Sequence, residues 1–367
     1  MSVFSHSEFH DHEQVVFCRD AASGLRAIIA IHSTHLGPAL GGIRMYPYAS
    51  DEDALTDVLR LARGMSYKAA LAGLPLGGGK SVIIGDPHRA KTPALLRAMG
   101  EAIERLGGRY IGAEDSGTAV ADLKVMSETT DHVCGTLDKE GLDGGTRSGD
   151  PSPATALGVF LGIRAAVQHA LGRDELHGVR VAIQGVGNVG RRLGRYLHDA
   201  GAELVVCDSW GPNLDRAATE LNARAVEPEA IYAQDVEVFA PCALGAVLND
   251  VTIPQLKARI VAGSANNQLA EARHGELLRR RGIVYAPDYV INAGGLIDVF
   301  HERERVFDTD SYIIMDEFTL NTSSHDSTID GVHRIPQTLS AILEQAEREQ
   351  RSTQAVADSI AEDRLRG

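Results

Sequence analysis

A strand-like run that leads directly into a glycine motif and a helix constrains this chain more than any other feature. Residues 179–184 (VRVAIQ) form the run, GVGNVG follows at 185–190, and an amphipathic helical pattern begins within the motif. This order is typical of a dinucleotide-binding βαβ unit. In such a unit Gly185 makes the tight turn, Gly187 lets the backbone approach the pyrophosphate, and Gly190 lets the helix pack closely on the strand. The sequence therefore predicts a Rossmann-type domain.

An acidic residue ends the next strand of that domain. The run at 203–207 (ELVVC) stops at Asp208, whose carboxylate can accept hydrogen bonds from the adenosine ribose hydroxyls. The same charge would repel a 2′-phosphate, so Asp208 favours NAD over NADP as the cofactor. Further strand-like runs alternate with helical patterns, which predicts a mostly parallel, doubly wound sheet. They lie at 236–239, 259–262 and 283–285.

Small and polar residues follow these later runs. Open α/β sheets bind their ligands at the carboxyl ends of the strands. We therefore expect Cys242, Ala243, Asn266 and Asn292 near the nicotinamide end of the cofactor. In the alternative interpretation the two asparagines are ordinary turn residues, because asparagine is common where a strand ends.

The second chemically informative stretch is residues 64–80, GMSYKAALAGLPLGGGK. Three glycines permit positive φ angles and a close approach of the backbone to a ligand. They predict a loop from which Lys80 projects, just before the apolar run SVII enters a sheet. Burial at the edge of a core lowers the pKa of a lysine and lets it exchange protons near neutrality. The alternative is that Lys68 and Lys80 are two solvated side chains flanking a glycine turn.

The rest of the first 135 residues predicts an α/β domain. Short apolar runs bounded by turn residues predict strands. Ser50 with Asp53 predicts a capped helix start, and Thr92 before Pro93 predicts another. The predicted strands lie at 14–19, 25–31, 41–46, 81–84 and 110–113.

Asp115 follows the last of these strands in the sequence AEDSGT. A carboxylate at the end of a strand, followed by a helix, is held on a rigid scaffold and can serve as a catalytic group. Taken alone, an aspartate before a helix is more often a helix cap. Both interpretations of Asp115 stay open at this point.

Composition and charge restrict the class of protein. Hydrophobic residues make up 44% and charged residues 23% of the chain, and its formal net charge is −14. These values are ordinary for a soluble protein, and the negative charge argues against a nucleic-acid partner. We find no apolar run of the ~18 residues that a membrane span needs. Residues 1–13 lack the basic and apolar regions of a signal peptide, so we expect a cytoplasmic protein.

Neither the cysteines nor the N-terminal histidines predict a metal site or a disulfide. The four cysteines are far apart and form no CxxC pair, so they are expected to be reduced thiols. Three histidines near the N-terminus could bind a metal, but a mobile polar tail is the expected state of such a segment. The histidines are His6, His10 and His12, and the cysteines are Cys18, Cys134, Cys207 and Cys242.

These observations predict a domain organisation for the 367-residue chain. An N-terminal α/β domain occupies residues 1–135, and a linker rich in glycine, aspartate and serine occupies 136–152. The Rossmann-type domain occupies 153–335. A last helical pattern, roughly 336–364, predicts a C-terminal segment (336–367) that packs back on the first domain.

Seven motifs together resemble the amino-acid dehydrogenases of the glutamate, leucine, phenylalanine and valine group. The resemblance covers about residues 10–300 and is strongest to the leucine-specific branch. It rests on the segments GGIRM, RGMSYKAALAGLPLGGGK, AEDSGT, QGVGNVG, APCALGA, AGSANNQL and APDYVINAGG.

The resemblance implies a role for each part of the chain. The first domain would bind the amino acid and the second NAD, with the active site in the cleft between them. Lys80 would be the catalytic lysine, Asp115 its acid/base partner, and Lys68 the ligand of the substrate carboxylate. The implied substrate pocket also includes Leu40, Gly41, Gly42, Met65, Ala113, Asn266, Leu296 and Val299. The implied cofactor set is Thr155, Gly185, Gly187, Asn188, Val189, Gly190, Asp208, Cys242, Ala243, Asn266 and Asn292.

Two of these positions indicate the substrate. Glutamate-specific members have a lysine before the paired glycines and a serine seven residues after the asparagine of NAGG; here these positions are Leu40 and Val299. A second substrate carboxylate would be buried without a partner in such a pocket. We therefore expect reversible oxidative deamination of leucine, valine or isoleucine to the 2-oxo acid and ammonia, by a homo-oligomer (dimer or octamer). Two alternatives stay open: an aromatic amino-acid dehydrogenase, and an NAD-binding protein without turnover.

Overall fold

The computed structural model describes residues 3–136, 138–140, 146–310 and 324–367. The chain forms two compact units, each assembled from more than one segment. The first unit contains Met1–Asp150, Val299–Ser324 and Ala361–Gly367, and the second contains Pro151–Asp298 and His325–Ile360. The predicted linker at 136–152 lies partly outside the described residues.

The first unit is built on a five-stranded sheet with the order β1-β2-β4-β3-β5. β1 and β2 form the predicted antiparallel hairpin, β4 is antiparallel to β2, and β3 runs parallel to both β4 and β5. The strands are β1 (Gln14–Asp20), β2 (Leu25–Ser33), β3 (Ala39–Tyr46), β4 (Gly77–Ile84) and β5 (Tyr110–Glu114), and a separate short pair is β6 (Asp138–Glu140) and β7 (Thr146–Ser148).

Helices cover both faces of this sheet. They are α1 (Asp51–Ala72), α2 (Pro93–Glu104) and α3 (Val120–Met126). α1 begins at the predicted cap, where the Asp53 N–H donates to Ser50 Oγ at 3.1 Å. Because side chains alternate along a strand, Ile28 and Val82 pack under α1, whereas Ile29 and Ile43 belong to the opposite core with α2 and α3.

The glycine triplet is part of a strand, so the predicted loop is wrong. β4 begins at Gly77, and its glycines pair with both neighbouring strands without any positive φ angle. Close packing explains them. A Cβ on Gly78 would lie 1.9 Å from the Ser66 backbone N of α1, and one on Gly79 would lie 2.8 Å from the Tyr110 ring. The glycines therefore let a helix and a ring approach the sheet, instead of letting the chain turn.

The N-terminal histidines do not form the predicted mobile tail. His6 and His12 are 7% and 5% exposed, and both side chains bond to α1. His6 Nε2 lies 3.2 Å from Thr56 Oγ1, and His12 Nε2 lies 3.0 Å from the Leu59 carbonyl oxygen. These polar contacts satisfy the two buried rings, so the segment is a fixed layer of the first unit.

The second unit contains the predicted doubly wound sheet. Its strand order is β10-β9-β8-β11-β12-β13, and all five pairs are parallel. The strands are β8 (Arg180–Gln184), β9 (Glu203–Cys207), β10 (Arg224–Ala225), β11 (Val238–Pro241), β12 (Ile260–Val261) and β13 (Val284–Tyr285). The accompanying helices are α4 (Ser152–Leu171), α5 (Asn188–Asp199), α6 (Gly211–Glu220), α7 (Arg273–Arg280) and α8 (Asp288–Ile291).

One described helix, α4, would be long and apolar enough to cross a membrane by length and composition alone. The expectation that no stretch approaches that length is therefore wrong. Half of the stretch is buried in the unit, where α4 packs against α5 and against α11 (Ile335–Glu349). This packing is that of a core helix.

The C-terminal region also departs from prediction. Instead of one helix over 336–364 there are two, because Gln350 has a left-handed φ of 54° and ends α11 before α12 (Thr353–Arg366). α11 packs against α4 and α8 in the second unit. Of the segment 336–367, only Ala361–Gly367 belongs to the first unit. The preceding helices are α9 (Gly294–Asp310) and α10 (Ser324–Val332).

Candidate functional site

Strand alternation gathers the predicted catalytic residues on the face of the first unit's sheet that α1 covers. On β3, Gly42 lies opposite Ala113 of β5. On β4, Lys80 falls two residues from Gly78 and from Val82, so all three share that face. Asp115 lies directly after β5, two residues beyond Ala113. Three adjacent strands thus contribute to one surface.

Lys80 and Asp115 form a direct ion pair. Lys80 Nζ lies 2.5 Å from Asp115 Oδ2, and the side chains are 7% and 14% exposed. The predicted alternative of a solvated lysine is therefore wrong. Asp115 is not a helix cap either, because α3 begins five residues later with Ala119 at its N-cap.

Burial and charge shift both groups. Burial lowers the pKa of Lys80, Asp115 opposes this shift, and the nearby Arg44 guanidinium adds to it. For Asp115, burial alone would raise the pKa, but Lys80 and Arg44 together lower it to about 2. Asp115 is therefore a carboxylate at neutral pH, and Lys80 releases its proton more readily than a solvated lysine. A proton can pass between two such groups at this distance.

Arg44 is a member of the cluster that the sequence analysis did not identify. Its Nε donates to Asp115 Oδ2 at 3.2 Å, and its Nη1 donates to Asp57 Oδ2 of α1 at 2.9 Å. The signal was present in the motif GGIRM. Once β3 is recognised as a strand, residues 40, 42 and 44 must share a face, so an arginine two places after Gly42 lies beside the lysine.

The paired glycines at 41 and 42 make room for this cluster. A Cβ on Gly42 would lie 2.7 Å from Asp115 Cβ and 2.8 Å from Lys80 Nζ, and one on Gly41 would overlap the carbonyl oxygen of Gly79. Their carbonyl oxygens accept hydrogen bonds from the buried Tyr110 hydroxyl, at 2.9 Å for Gly41 and 3.2 Å for Gly42. The two glycines are therefore fixed from the opposite face of the sheet.

The remaining predicted substrate residues lie on four elements. Met65 and Lys68 are on the last turns of α1, either side of Ser66, which packs on Gly78. Leu40 is 2% exposed on β3, at the position two before Gly42. The other apolar positions are also buried: Ala113 on β5, and Leu296 and Val299 one turn apart on α9.

The glycine motif in the second unit has the predicted geometry. Gly185 has a φ of 90°, and a Cβ on Gly190 would lie 2.0 Å from the Gly185 carbonyl oxygen. Gly187 is the N-cap of α5, which begins at Asn188 and continues through Val189. A Cβ on Gly187 would meet no atom within 4 Å. Here the missing side chain leaves open space beside the free N–H groups of a helix N-terminus, which suits an anion.

Asp208 is tied to this loop. Its Oδ2 accepts the Val186 N–H at 2.8 Å, and its Oδ1 accepts the Trp210 N–H at 2.8 Å. Each carboxylate oxygen keeps a further lone pair, so both can still accept from ribose hydroxyls. The acid predicted from its position after β9 is therefore next to the turn between β8 and α5.

The residues predicted at the nicotinamide end also come together. Asn292 Nδ2 donates to Asn266 Oδ1 at 2.9 Å, so the two asparagines are not independent turn residues. Asn292 Oδ1 is buried and has no hydrogen-bond partner among the described residues. In three other pairs around the site, a glycine packs so closely on its neighbour that a Cβ on the glycine would have little or no room. The pairs are Gly190 with Cys242, Gly185 with Ala243, and Gly295 with Thr155.

One group of described residues has donors spaced for a metal ion. Donor atoms of Asp250, Glu271 and His274 lie within 4.8 Å of one another. However, Arg273 donates to both carboxylates, and His274 Nδ1 accepts the Glu271 N–H. The carboxylates already have a cation, so the group is an ion-pair cluster.

Comparison with known proteins identifies the class to which this combination belongs. Residues 12–132 match the dimerisation domain of Glu/Leu/Phe/Val dehydrogenases, and residues 144–306 match the Glutamate/Leucine/Phenylalanine/Valine dehydrogenase domain. The chain belongs to this family of amino-acid dehydrogenases.

Individual relatives differ in their substrates. Leucine dehydrogenase of Geobacillus stearothermophilus is 50% identical over 365 residues, which cover 100% of this chain and 94% of that protein. Phenylalanine dehydrogenase of Bacillus thermotolerans is 49% identical over 306 residues, covering 81% and 79%. The crystal structure of L-tryptophan dehydrogenase from Nostoc punctiforme has a TM-score of 0.76 at 44% identity and covers 97% of this chain and 96% of that chain.

Family membership establishes the general activity. The protein is an oxidoreductase that acts on amino acids, which excludes the non-catalytic alternative, and the cofactor of these homologues is NAD. The second unit fits that cofactor. It has open space at Gly187, lone pairs on Asp208 and an unpaired buried oxygen on Asn292.

Proposed function

We propose that the protein catalyses the NAD-dependent, reversible oxidative deamination of a branched-chain L-amino acid to its 2-oxo acid and ammonia. The observation that carries this proposal is the buried Leu40 on the strand face that bears the Lys80–Asp115 pair. Burying an unpaired substrate carboxylate beside Leu40 would cost several kcal/mol. An apolar side chain would instead be stabilised by about 1–3 kcal/mol. The 50% identical leucine dehydrogenase supports this assignment.

Each predicted residue then has a role. The first unit binds the amino acid, with Lys68 pairing with its α-carboxylate. The substrate side chain packs among apolar and small residues, and Asn266 lies between substrate and nicotinamide. The second unit binds NAD through the 185–190 loop and Asp208. The pocket residues are Leu40, Gly41, Gly42, Met65, Ala113, Leu296 and Val299.

The chemistry follows from the ion pair. Bound NAD supplies the hydride acceptor for the substrate α-carbon. Oxidation leaves a substrate imine, and water attacks its carbon. Lys80, with its lowered pKa, takes a proton from that water and then stabilises the oxygen of the carbinolamine. Asp115, 2.5 Å from Lys80 Nζ, relays that proton to the nitrogen of the carbinolamine. The C–N bond then breaks and ammonia leaves, while Lys80 takes the hydroxyl proton and the carbonyl of the 2-oxo acid forms.

A substrate panel tests the proposal. Purified protein is mixed with NAD and single L-amino acids at alkaline pH, and NADH is followed at 340 nm. We expect turnover of leucine, valine or isoleucine and none of glutamate. Leu40→Lys should impair leucine turnover, since it places a cation against an apolar side chain, and Leu40→Lys with Val299→Ser tests both positions. Undiminished leucine turnover in both variants would remove the basis of the assignment.

A second candidate function is the deamination of an aromatic amino acid. The 46% identical L-tryptophan dehydrogenase and the phenylalanine dehydrogenase favour it. One methylene in an apolar pocket changes discrimination by only about 1–3 kcal/mol. The same panel distinguishes the two candidates: phenylalanine or tryptophan turning over faster than every branched-chain amino acid would replace the first with the second.

We also propose that the protein is a cytoplasmic homo-oligomer, a dimer or an octamer. The match of residues 12–132 to a dimerisation domain supports assembly. Light scattering coupled to size-exclusion chromatography measures the mass directly. A mass equal to the 39.2 kDa chain would contradict the proposal.

A further inference from the structure

The Lys80–Asp115 pair is one end of a longer chain of buried charges. Asp115 Oδ2 accepts from both Lys80 Nζ and Arg44 Nε, so two cations share a single carboxylate oxygen. At the other side of the guanidinium, Arg44 Nη1 and the Tyr48 hydroxyl both donate to Asp57 Oδ2, at 2.9 and 2.6 Å. The order is Lys80, Asp115, Arg44, Asp57 and Tyr48.

The position of Arg44 is fixed from three directions. Its backbone lies in β3 between β4 and β5, its Nε faces the residue that follows β5, and its Nη1 is held by Asp57 of α1. The Arg44 and Asp57 side chains are only 20% and 27% exposed. A guanidinium held at two of its nitrogens has little freedom to move, so it restrains the carboxylate that it contacts.

We propose that Arg44, anchored by Asp57, is a positioning residue of the reaction: it holds Asp115 in its shared contact with Lys80 and so keeps that lysine able to exchange a proton. This inference rests on the proposed role of Lys80 and Asp115. Without Arg44, Asp115 would pair with Lys80 alone, and the ammonium form of the lysine would be favoured.

Charge explains the direction of the effect. The charged groups with the largest effect on Lys80 are Asp115, Arg44 and Asp57. Arg44 lowers the pKa of Lys80, and the two carboxylates raise it. The charge of Asp115 also acts on Tyr48, Tyr110 and Glu114. The pKa of each is raised, mainly by burial and further by Asp115, so these groups stay protonated to a higher pH than usual. Removing the Arg44 charge and removing the Asp57 charge should therefore move the titration of Lys80 in opposite directions.

The experiment measures Lys80 without requiring turnover. The full chain is acetylated briefly with acetic anhydride across a pH series, and mass spectrometry compares Lys80 with the exposed Lys257. We expect the labelling curve of Lys80 to move to higher pH in Arg44→Gln. It should move to lower pH in Asp57→Asn, because the asparagine oxygen can still accept from Arg44 and only the negative charge is lost. Arg44→Lys, which keeps the charge, should restore most of the wild-type curve.

A matched control is available in the same unit. Arg26 of β2 pairs with Asp51 of α1 at 2.5 Å, the same strand-to-helix arrangement, but both side chains are exposed. Arg26→Gln should leave the Lys80 curve unchanged. The inference would be overturned if Arg44→Gln had a normal melting transition and the same Lys80 labelling curve as the wild type.

Kinetics separate this inference from the proposed function. In Arg44→Gln we expect kcat to fall about 100-fold, with its pH profile displaced upward and KM for the amino acid little changed. If kcat fell equally in Arg44→Gln and Arg44→Lys and its pH profile did not change, Arg44 would have a structural role only. If the wild type deaminates no amino acid, the proposed function fails, while the labelling curves still decide the role of Arg44.

Discussion

At the scale of single residues, the site requires a glycine at position 42, because there is no room for a side chain there. The Lys80–Asp115 contact fills the volume that a Cβ at this position would occupy. Asp115 Cβ is close to its own backbone, so it cannot move aside as the end of a long side chain can. Substitution must therefore displace the pair or the strand.

We expect Gly42→Ala to reduce kcat about 100-fold, because small displacements of reacting groups have costs of that order. Overpacking should also lower the free energy of unfolding by about 1–3 kcal/mol. Steady-state kinetics and urea unfolding measure the two effects separately.

Gly64→Ala is the control for Gly42→Ala. Gly64 lies within α1, and a Cβ there would meet no atom within 4 Å. Alanine in a helix restricts the unfolded chain more than glycine does, so this variant should gain about 0.4–1 kcal/mol of stability and keep its activity. Full activity in Gly42→Ala would show that the pair tolerates the added methyl group.

Some residues of the site could be predicted from the sequence, and others could not. Lys80 and Asp115 stand in distinctive sequence contexts, and the structure brings them together. Arg44 was missed because an arginine after GGI has no chemistry of its own until the strand is known. Its importance comes from Asp57 and Asp115, which are 13 and 71 residues away in the chain.

At the scale of elements, the glycines in the loop between β8 and α5 serve two purposes: some are needed for folding and one for binding. Gly185 and Gly190 are required by contacts within the protein, whereas Gly187 faces open space. We expect Gly187→Ala to leave the melting temperature unchanged and to weaken NAD binding, since its methyl group would occupy the place of the pyrophosphate. Calorimetry of NAD binding and a thermal melt test this. Unweakened NAD binding in Gly187→Ala would contradict the assigned role of the loop.

Two histidines of the first unit, His12 and His32, should make stability depend on pH. The pKa of His12 is lowered to about 4 and that of His32 to about 3, in both cases mainly by burial. The centroids of the two rings lie 4.9 Å apart. An unfolded histidine titrates near pH 6.5. Below that pH the unfolded chain takes up protons that the folded chain does not, so stability is complete above pH 6.5 and is lost on acidification.

We expect the free energy of unfolding to fall by about 1.6 kcal/mol for each of these two histidines between pH 6.5 and 5. His12→Gln, which can still donate to the Leu59 carbonyl, should reduce this dependence, whereas the exposed His88→Gln should not. Urea unfolding at several pH values measures the slope. Identical slopes in the wild type and His12→Gln would contradict the assignment.

Elements were easier to predict than their packing. The hairpin, the capped helix starts and the parallel sheet follow from local patterns, and all were found. The strand character of the GGG segment could not be predicted in this way. Glycine usually indicates a turn, and the reason for glycine at 78 is Ser66, on a helix that the local sequence does not reveal.

At the scale of the whole molecule, we propose that the first unit carries out the chemistry and the second unit binds NAD. Lys80 lies in the first unit and the glycine loop in the second. We therefore expect Lys80→Ala to lower turnover by orders of magnitude and to leave the Kd for NAD nearly unchanged. Calorimetry of the variant with NAD, beside its steady-state rates, measures both. A comparable loss of NAD binding would contradict this division.

The composition of the units was not predictable from local patterns. The first unit contains Val299–Ser324 and Ala361–Gly367 from the far end of the chain. There, Arg364 Nη1 donates to the Ala70 carbonyl oxygen at 2.8 Å, at the C-terminal end of α1. Such a long-range cap leaves no periodic signal, because its two partners are separated by almost the whole sequence.

The place of Lys80 within a central strand limits how this segment can change in evolution. A residue deleted from or inserted into β4 would alter the alternation of its side chains. Either Lys80 would turn to the face of Ile43 and Met45, or Gly78 would lose its place under Ser66. We therefore expect related chains to vary in length before Gly77, in the connection from α1, and to keep the count from there to Lys80 constant.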